Sequence, residues 1–394
     1  MTDVRGGRGL LLASLCIAGL AANVSGRTVE PLITIISAEF AIGVAVAALL
    51  SSAYTLPFAL GQPVLGPIGD IYGKTRVLRF SLWAMTAALL ASAIAPTFET
   101  LAIARFLAGL AAGGVVPACM ATIGDAFPPE RRQVAISIFV TMGLLAQIFA
   151  TGASGLIGEA YGWRVVLGAS AMFALAGGLA ATFVLRAQPH QTTQSYSVRA
   201  AAANYRSVFQ NPKAVLCYST VFLEGVALYG VLPYVGDILG RQGQGGATEA
   251  GVIIGAMGVG GLFYVTLVSA LLQRFNRRQF MAAGGLIMTA GLIALAAGGP
   301  WKVTAGAFAI SGFGFMLLHN SIQTEAVDLA PGARQSAYSL HAFSFFSGQA
   351  AGPPAFGAVA AVAGDRTTLV ISAAVLAATG VVIALLFGRL ARQA

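Results

Sequence analysis

The chain has 394 residues, of which 57% are hydrophobic and only 9% are charged, and its mean hydropathy is +0.81. Because soluble proteins carry about 25% charged residues, this composition excludes a soluble globular protein and predicts a surface that faces lipid. The formal net charge of +9 does not indicate nucleic-acid binding, since the basic residues lie in short clusters between apolar runs, as membrane topology requires.

Twelve apolar runs are long enough to cross a bilayer as helices, which takes about 20 residues each. In chain order they span residues 10–38, 44–67, 77–97, 99–124, 133–158, 165–186, 213–237, 248–272, 279–298, 302–326, 333–360 and 366–388. The first run follows Arg5 and Arg8 as the core of a signal peptide would. Since eleven more runs follow it, we expect it to be retained, and we predict an all-α integral membrane protein of twelve helices.

The sequence divides into two similar halves. Residues 188–212 form the longest polar stretch and are predicted to be a cytoplasmic linker between six-helix bundles at residues 1–187 and 213–394. A shift of 202 residues aligns Phe127–Arg164 with Leu329–Arg366 without a gap, and it also places Pro31 on Pro233. An even number of helices in each half makes the repeats parallel, and two parallel six-helix repeats around a central site are a known transporter architecture.

The distribution of Lys and Arg predicts the orientation of the chain in the membrane. Seventeen of these residues lie in one set of loops and four in the opposite set, while Arg27 and Arg105 lie inside predicted helices. The positive-inside rule then places both termini in the cytoplasm. We expect a monomer in the cell (inner) membrane. The three cysteines each lie in an apolar run and fit neither a disulfide framework nor a metal site, and no cofactor is expected.

The loop between the second and third predicted helices carries the most specific motif, Gly66-Pro-Ile-Gly-Asp70-Ile-Tyr-Gly73-Lys74-Thr-Arg76. It resembles the signature G-x-x-x-D-x-x-G-[RK]-[RK] of the major facilitator superfamily, and it lies between the same two helices. Gly73 can turn the chain sharply, and Asp70 can bond to a helix N-terminus across the interface between the halves. We therefore predict a conformational latch here, to which Asp125 contributes by pairing with Lys74 or Arg76.

A second, degraded copy of this motif begins at Ser269 in the second half. Gln273 replaces the acidic residue, which predicts a weaker latch. Asn276 replaces the turn glycine, and asparagine is the next best residue at positive φ.

Two further patterns concern proton coupling. Arg105-Phe-Leu-Ala-Gly109 in the fourth helix looks like the superfamily's R-x-x-x-G. The resemblance implies a coupling role for Arg105, and a structural partner elsewhere in the bundle is the alternative. The twelve-helix drug:proton antiporter branch also has G-P-x-x-G-G in the fifth helix; here residues 150–155 lack the proline, whereas Gly352-Pro353 in the eleventh helix keep the G-P. Proton-coupled antiport is thus implied, and uptake stays open.

Polar residues inside the spans normally face a cavity or a partner, because they are costly in lipid. Asn23, Arg27, Glu30 and Thr34 have the spacing of one helical face, and the resemblance implies that helices one, four, seven and ten line the central cavity. The proton-coupling candidates are Arg27, Glu30, Arg105 and Glu224, and the substrate-cavity candidates are Asn23, Gln147, Tyr229, His319, Asn320, Gln323, His341 and Gln349. An interhelical hydrogen bond is the alternative role for each single Gln, Asn or His.

Glu30 is the predicted proton-coupling carboxylate. Arg27 precedes it by three residues, and arginine cannot release its proton, so the glutamate must be the group that switches. A carboxylate gains proton affinity on burial and loses it beside a guanidinium, and the balance changes when a cavity opens to water. Glu224 is the second candidate, and a permanent structural pair is the alternative for Arg27 and Glu30.

The leading functional hypothesis is a secondary transporter that moves a small organic solute by alternating access, with proton-coupled efflux. Its expected partners are the solute, protons and the lipid bilayer. A proton-coupled uptake carrier for an organic anion or sugar is the alternative, since Arg27, Arg105 and the histidines could bind a carboxylate. An enzyme is not expected. The remote alternative is an intramembrane serine protease, because Gly152-Ala-Ser154-Gly155 matches G-x-S-G and a histidine, His319 or His341, could serve as the base.

Overall fold

The structure is a computed structural model that describes residues 2–185 and 198–393, and the described residues are helical apart from turns and short connections. The α-helices are α1 (Thr2–Arg27), α2 (Ile33–Glu39), α3 (Val44–Tyr72), α4 (Lys74–Ala93), α5 (Phe98–Ala112), α6 (Val115–Ala126), α7 (Pro129–Tyr161), α8 (Trp163–Val184), α9 (Val198–Phe209), α10 (Ala214–Glu224), α11 (Val235–Arg241), α12 (Ala247–Leu272), α13 (Arg277–Ala297), α14 (Trp301–Asp328), α15 (Arg334–Ala363) and α16 (Asp365–Gln393). The prediction of an all-α protein is confirmed.

Among the described residues, ten helical segments are long and apolar enough to cross a membrane: Arg8–Glu39, Val44–Val64, Phe98–Ala126, Arg131–Tyr161, Trp163–Val184, Ala214–Arg241, Ala247–Leu272, Arg277–Ala297, Trp301–Asp328 and Asp365–Arg389. The third and eleventh predicted helices, α4 and α15, fall outside this set. Both nevertheless pack inside the bundle, α4 against α8 and α15 against α3. Basic residues at the start of α4 and polar residues along α15 lower the hydropathy of these two helices.

The first and seventh predicted helices are broken at positions that the repeat relates. α1 ends at Arg27, a 3₁₀ turn covers Glu30–Leu32 around Pro31, and α2 follows. α10 ends at Glu224, a π turn covers Gly225–Tyr229, a 3₁₀ turn covers Leu232–Tyr234 around Pro233, and α11 follows. Proline lacks an N–H and clashes with the preceding turn, so it breaks a helix. The residues Asn23, Arg27, Glu30 and Thr34 therefore do not lie on the one uninterrupted helix that their spacing predicts.

Two connections between helices lie at what we call the basic end of the bundle, the end that contains Gly73 and Asn276. Gly73 adopts a φ of +94° before α4, which is the turn predicted for it. Asn276 does not copy this conformation: its φ is −89°, and its side chain accepts a hydrogen bond from Gln279 N as the cap of α13. The prediction of positive φ at Asn276 is therefore wrong, because asparagine serves here as an N-cap. The side chains of residues 65–71, Asp70 among them, lie outside the described part, so the Gly66 and Asp70 latch stays a prediction.

Ion pairs tie helices together within each half. At the basic end, Lys74 Nζ lies 2.7 Å from Asp125 Oδ2 and Arg277 Nη1 lies 3.1 Å from Glu325 Oε1. At the opposite end, which contains Gly162 and Gly364, the pairs are Arg164–Glu39 and Arg241–Asp365. Each of these contacts joins elements of the same half, which is the arrangement expected of two bundles that move as units.

The two halves meet along α7–α12 and α3–α15. Glu159 Oε2 accepts hydrogen bonds from Thr248 N at 3.0 Å and from Thr248 Oγ1 at 2.5 Å near the opposite end. Close to mid-bundle, Ser52 Oγ donates to the Ala350 carbonyl at 2.6 Å. α2 of the first half also contacts α11 of the second half, since a Cβ on Gly236 would lie 3.6 Å from Thr34 Oγ1. These contacts join the halves from the middle of the bundle to its opposite end.

Sequence reasoning missed one helix. α9 (Val198–Phe209) lies inside the stretch 188–212 that was predicted only to be a linker. Beyond it, Asn211 Nδ2 donates to the Leu329 carbonyl at 3.1 Å, which fixes the start of the second half against the end of α14. Residues 186–197, which contain the predicted boundary at 187–188, lie outside the described residues.

Candidate functional site

Arg27 lies at the break in the first span and joins the two halves. Its Nη1 lies 3.3 Å from Glu30 Oε1 in the same half. Its Nη2 donates to Gln349 Oε1 of α15 at 3.0 Å, and its Cζ lies 4.3 Å from the centre of the Tyr229 ring in the π turn. The C-terminal end of α1 favours a cation at this position through the helix dipole. One guanidinium thus contacts a carboxylate of the first half and two side chains of the second.

A small cavity adjoins this contact. Its volume is 40 Å³, and its lining includes Arg27, Gln147, Thr151, Tyr229 and Phe315. A water molecule needs about 10–15 Å³ of such a cavity. The cavity can therefore hold a few water molecules but no organic solute. In this conformation the space beside the Arg27 side chain is therefore closed to a solute.

Glu30 is almost fully buried, and only one of its two carboxylate oxygens has a partner. One oxygen meets Arg27, whereas Oε2 has no hydrogen-bond partner among the residues that the structure describes. An unsatisfied buried carboxylate oxygen is costly. The predicted proximity of Arg27 and Glu30 is present, although the 3₁₀ turn, and not a continuous helix face, brings the two side chains together.

Arg105 lies in a separate cluster inside the first half. It is fully buried; its Nη1 donates to the Ser25 carbonyl at 2.9 Å, and its Cζ lies 4.3 Å from the centre of the Tyr54 ring. Tyr54 Oη is 2.7 Å from Ser25 Oγ. This geometry is what the alternative of a structural partner predicts, and it does not bring the Arg105 side chain to Arg27.

Glu224, His319 and His341 form a third cluster, inside the second half. Glu224 is fully buried, and its Oε2 lies 2.8 Å from His319 Nδ1. His319 Nε2 lies 3.4 Å from His341 Nε2. The rings of Phe315 and Phe345 flank His319, with centroids 4.9 and 4.4 Å away. The cluster is therefore a hydrogen-bonded chain of three titratable groups in an aromatic surrounding.

The remaining cavity candidates have more ordinary partners. Asn23 donates to the Gly19 carbonyl of its own helix at 2.8 Å, and Asn320 Nδ2 lies 3.6 Å from Met316 Sδ. Gln323 is half-buried.

Ser154 Oγ donates to the Thr28 carbonyl, whereas both histidines contact Glu224 or each other. The serine–histidine arrangement of the remote protease hypothesis is therefore not assembled in this structure.

Sequence reasoning missed the aromatic residues that connect these clusters. The Tyr229 ring, under Arg27, lies 5.8 Å from that of Phe315 and 5.5 Å from that of Phe345. Phenylalanine is frequent in this chain, and a single one in an apolar run carries no signal that separates a site from ordinary packing. Only the fold shows that Phe315 and Phe345 lie between Arg27 and His319.

Comparison with known proteins identifies the family. The family model described as Major Facilitator Superfamily matches residues 15–332 and also residues 214–394. The chain belongs to the Major Facilitator Superfamily. This confirms the resemblance based on the Gly66–Arg76 motif, and the superfamily fold accounts for two six-helix repeats. As members of the superfamily do, the protein spans the membrane several times and carries small solutes by secondary transport.

Relatives of similar length share a modest identity with this superfamily member. It is 26% identical over 281 residues to the uncharacterized MFS-type transporter YwfA of Bacillus subtilis, covering 71% of this chain and 68% of that one. It is 23% identical over 323 residues to the uncharacterized MFS-type transporter YybF of the same organism, covering 81% and 79%. These relatives support the family and name no substrate.

Solved structures of other transporters share the fold. A crystal structure of the nucleoside transporter NupG superposes with a TM-score of 0.78 at 14% identity, covering 96% of this chain and 99% of that one. A crystal structure of the peptide transporter POT superposes with a TM-score of 0.77 at 15% identity, covering 97% and 95%. At these identities the likeness shows the architecture and leaves the substrate open.

Proposed function

We propose that this superfamily member is a proton-coupled exporter of a small organic solute, in which Glu30 carries the proton. The observation that supports this most directly is the set of contacts of Arg27. Its guanidinium is shared between Glu30 of the first half and Gln349 and Tyr229 of the second. A change of charge on Glu30 therefore alters a contact between the halves.

The coupling follows from charge balance. While Glu30 is ionised it holds Arg27, and the pair is neutral in a region where a lone charge is costly. While Glu30 is ionised, its Oε2, which has no partner among the described residues, can accept a hydrogen bond from a donor group of the solute. A proton on Glu30 weakens this acceptor and leaves Arg27 to Gln349 and Tyr229. Solute and proton thus compete for the Glu30 carboxylate, and this competition is the chemical requirement of antiport.

The movement that accompanies this competition is the rocking of residues 1–187 against residues 213–394, with 188–212 as the linker. Ion pairs within each half support rigid bundles, and the Glu159–Thr248 bonds are among the contacts that such rocking breaks. Because 17 basic residues mark one set of loops, we place this set and both termini in the cytoplasm. In this orientation the Glu159–Thr248 contact between the halves lies at the outer end, and an exporter takes its solute from the opposite, cytoplasmic side.

Export is also favoured by the names of some relatives. One of them is the MFS-type efflux pump MFS2 of Trichophyton rubrum, which is 28% identical over 162 residues and covers 41% of this chain and 26% of that one. The inner membrane transport protein YnfM of Escherichia coli is 24% identical over 223 residues and covers 57% and 54%. These names motivate the direction and the membrane that we assign.

The first test uses inside-out membrane vesicles, a panel of drugs, sugars and organic acids, and an imposed pH gradient. For a compound that accumulates, Glu30→Gln should abolish accumulation driven by the pH gradient, while solute binding persists and no longer depends on pH. The matched control is Glu99→Gln, which makes the same change at an exposed position and should leave transport unchanged.

Two outcomes would contradict the proposal. Full pH-driven accumulation in Glu30→Gln would remove Glu30 from coupling. Accumulation only in right-side-out vesicles would show uptake, the alternative that is expected if Arg27 serves to capture an organic anion or a sugar.

A further inference from the structure

We propose that Glu224, His319 and His341 form a proton relay within the second half, distinct from the Arg27–Glu30 pair. The inference rests on the geometry of the three side chains, and only its use in transport rests on the proposed function. Each residue comes from a different helix: Glu224 from α10, His319 from α14 and His341 from α15. The fold thus assembles a hydrogen-bonded chain that no local sequence pattern encodes.

Two contacts and two unpaired atoms define the chain. Glu224 Oε2 lies 2.8 Å from His319 Nδ1, and His319 Nε2 lies 3.4 Å from His341 Nε2. At its ends, Glu224 Oε1 and His341 Nδ1 are buried and have no hydrogen-bond partner within residues 2–185 and 198–393. Since these two atoms terminate the chain, they are where a proton can enter or leave it.

The contacts fix which nitrogens carry protons. When Glu224 is ionised it can only accept, so His319 carries its proton on Nδ1 and its Nε2 must accept from His341 Nε2–H. When the proton is on Glu224 Oε2, this oxygen donates to His319 Nδ1. His319 then carries its proton on Nε2 and donates to His341 Nε2, and His341 carries its own proton on Nδ1. The two protonation states of one carboxyl therefore impose opposite tautomers on both histidines.

A proton can cross the chain by passing between these states. A proton binds His341 Nδ1, the Nε2 proton of His341 moves to His319 Nε2, and the Nδ1 proton of His319 moves to Glu224 Oε2. Each imidazole gains one proton and gives up one, so both end neutral. The carboxylate gains one proton, the charge of the cluster changes from −1 to 0, and no electrons are transferred.

The surroundings of the relay contain few other charges. Tyr229 of the π turn is a titratable neighbour on the side of the first half, and Arg27, with Glu30 bound to it, lies over the Tyr229 ring. In the helices packed around the cluster, the charged residues lie toward the helix ends: Glu249 in α12; Arg277 and Arg278 in α13; Lys302, Glu325 and Asp328 in α14; Arg334 in α15; Asp365, Arg366, Arg389 and Arg392 in α16.

The chain offers a direct measurement, because it has only three histidines. The third, His190, lies outside the described residues, and His190→Gln leaves only His319 and His341 to be observed. In this variant, ¹⁵N-labelled histidine reports the tautomer of each ring by NMR, in the purified protein and without a solute. On acidification through the titration of Glu224, His319 should change from the Nδ1–H to the Nε2–H tautomer, and His341 should change from Nε2–H to Nδ1–H over the same range.

Glu224→Gln in the same background should remove this switch and should bind one proton fewer per protein over the titration. The measurement on His190→Gln alone tests the relay even if Glu224→Gln fails to fold. Fixed tautomers across that pH range, or a switch that persists in Glu224→Gln, would overturn the relay.

Glu30→Gln separates this inference from the proposed function. The tautomer switch should survive in Glu30→Gln even though transport driven by a pH gradient is lost. A switch that disappears in Glu30→Gln would show that the two sites are one titrating unit, and it would overturn their independence.

Discussion

Arg105 is a buried cation that is stabilised mainly by a ring and a carbonyl. It is fully buried, donates to the Ser25 carbonyl and lies over Tyr54. A desolvated cation–π contact contributes about 2 kcal/mol, and a hydrogen bond from a charged donor about 1.5–3 kcal/mol. These contacts join α5 to α1 and α3, so Arg105 contributes to the rigidity of the first half.

Substitutions at Tyr54 and Arg105 should distinguish the contribution of the Tyr54 ring to stability from that of its hydroxyl. Tyr54→Phe keeps the ring and should cost about 1 kcal/mol of unfolding free energy or less. Arg105→Lys keeps the charge but loses the planar guanidinium, and should cost about 2 kcal/mol or more. Thermal unfolding in detergent measures both. An equal effect of the two substitutions would argue against the stacking of Arg105 on Tyr54.

The sequence predicted which polar residues lie in the spans better than it predicted which side chains they contact. Arg27 and Glu30 are three residues apart, so their contact could be predicted from spacing alone. The contact of Arg27 with Gln349 joins residues separated by 322 positions, and no pattern in one sequence encodes it. The same holds for Glu224, whose partner His319 is 95 positions away.

Among the elements, α7 and α12 show how glycine sets the distance between the halves. A Cβ on Gly155 would lie closer to the Ala247 carbonyl oxygen than real Cβ atoms approach any neighbour. Gly152, one turn earlier on the same helix, has open space at its Cα. Of these two glycines, Gly155 is therefore the one that the close approach of α7 and α12 requires.

This pair of glycines gives a matched test. Gly155→Ala should force α7 and α12 apart and destabilise the observed conformation by about 1–3 kcal/mol, so the population shifts toward the conformation in which the opposite end is open. Labelling of Thr248→Cys by a membrane-impermeant maleimide should rise in Gly155→Ala and stay unchanged in Gly152→Ala. Equal labelling of the two variants would show that the contact does not hold this end closed.

Hydropathy predicted most elements because a span has to be long and apolar, but it cannot report breaks. Pro31 and Pro233 lie at the interruptions of the first and seventh spans, both of which were predicted as continuous helices, and nothing in residues 225–229 signals a π turn. α9 (Val198–Phe209) was missed because a 12-residue amphipathic helix, rich in alanine and polar side chains, resembles a polar linker. Gly113 and Gly114 likewise divide the fourth predicted helix into α5 and α6.

At the scale of the whole molecule, a crosslink between α2 and α11 should stop the proposed rocking of the two halves. Thr34 and Gly236 belong to different halves, and a Cβ on Gly236 would be in ordinary van der Waals contact with Thr34. A Thr34→Cys/Gly236→Cys pair, in a background without Cys16, Cys119 and Cys217, should form a disulfide on oxidation, because a Cβ on Gly236 would lie 3.6 Å from the Thr34 side chain.

The oxidised double variant should lose transport almost completely and regain it on reduction. The single variants Thr34→Cys and Gly236→Cys, treated in the same way, should transport normally in both states. Undiminished transport in a fully crosslinked sample would contradict movement of the halves at this end. The two-half organisation behind this test was predictable from the 202-residue repeat, whereas the conformation shown, closed at the end opposite the basic loops, was not.

Glu30 and Glu224 are buried carboxylates in different halves, and under the proposed proton coupling the number of them that carry a proton limits how steep a solute gradient the protein can build. One pH unit across the membrane is equivalent to about 1.4 kcal/mol for each proton that moves. An uncharged solute exchanged for one proton, carried by Glu30 alone, can thus be concentrated about tenfold per pH unit. If Glu224 carries a second proton in each cycle, the limit becomes about a hundredfold, and the membrane potential contributes for two charges instead of one.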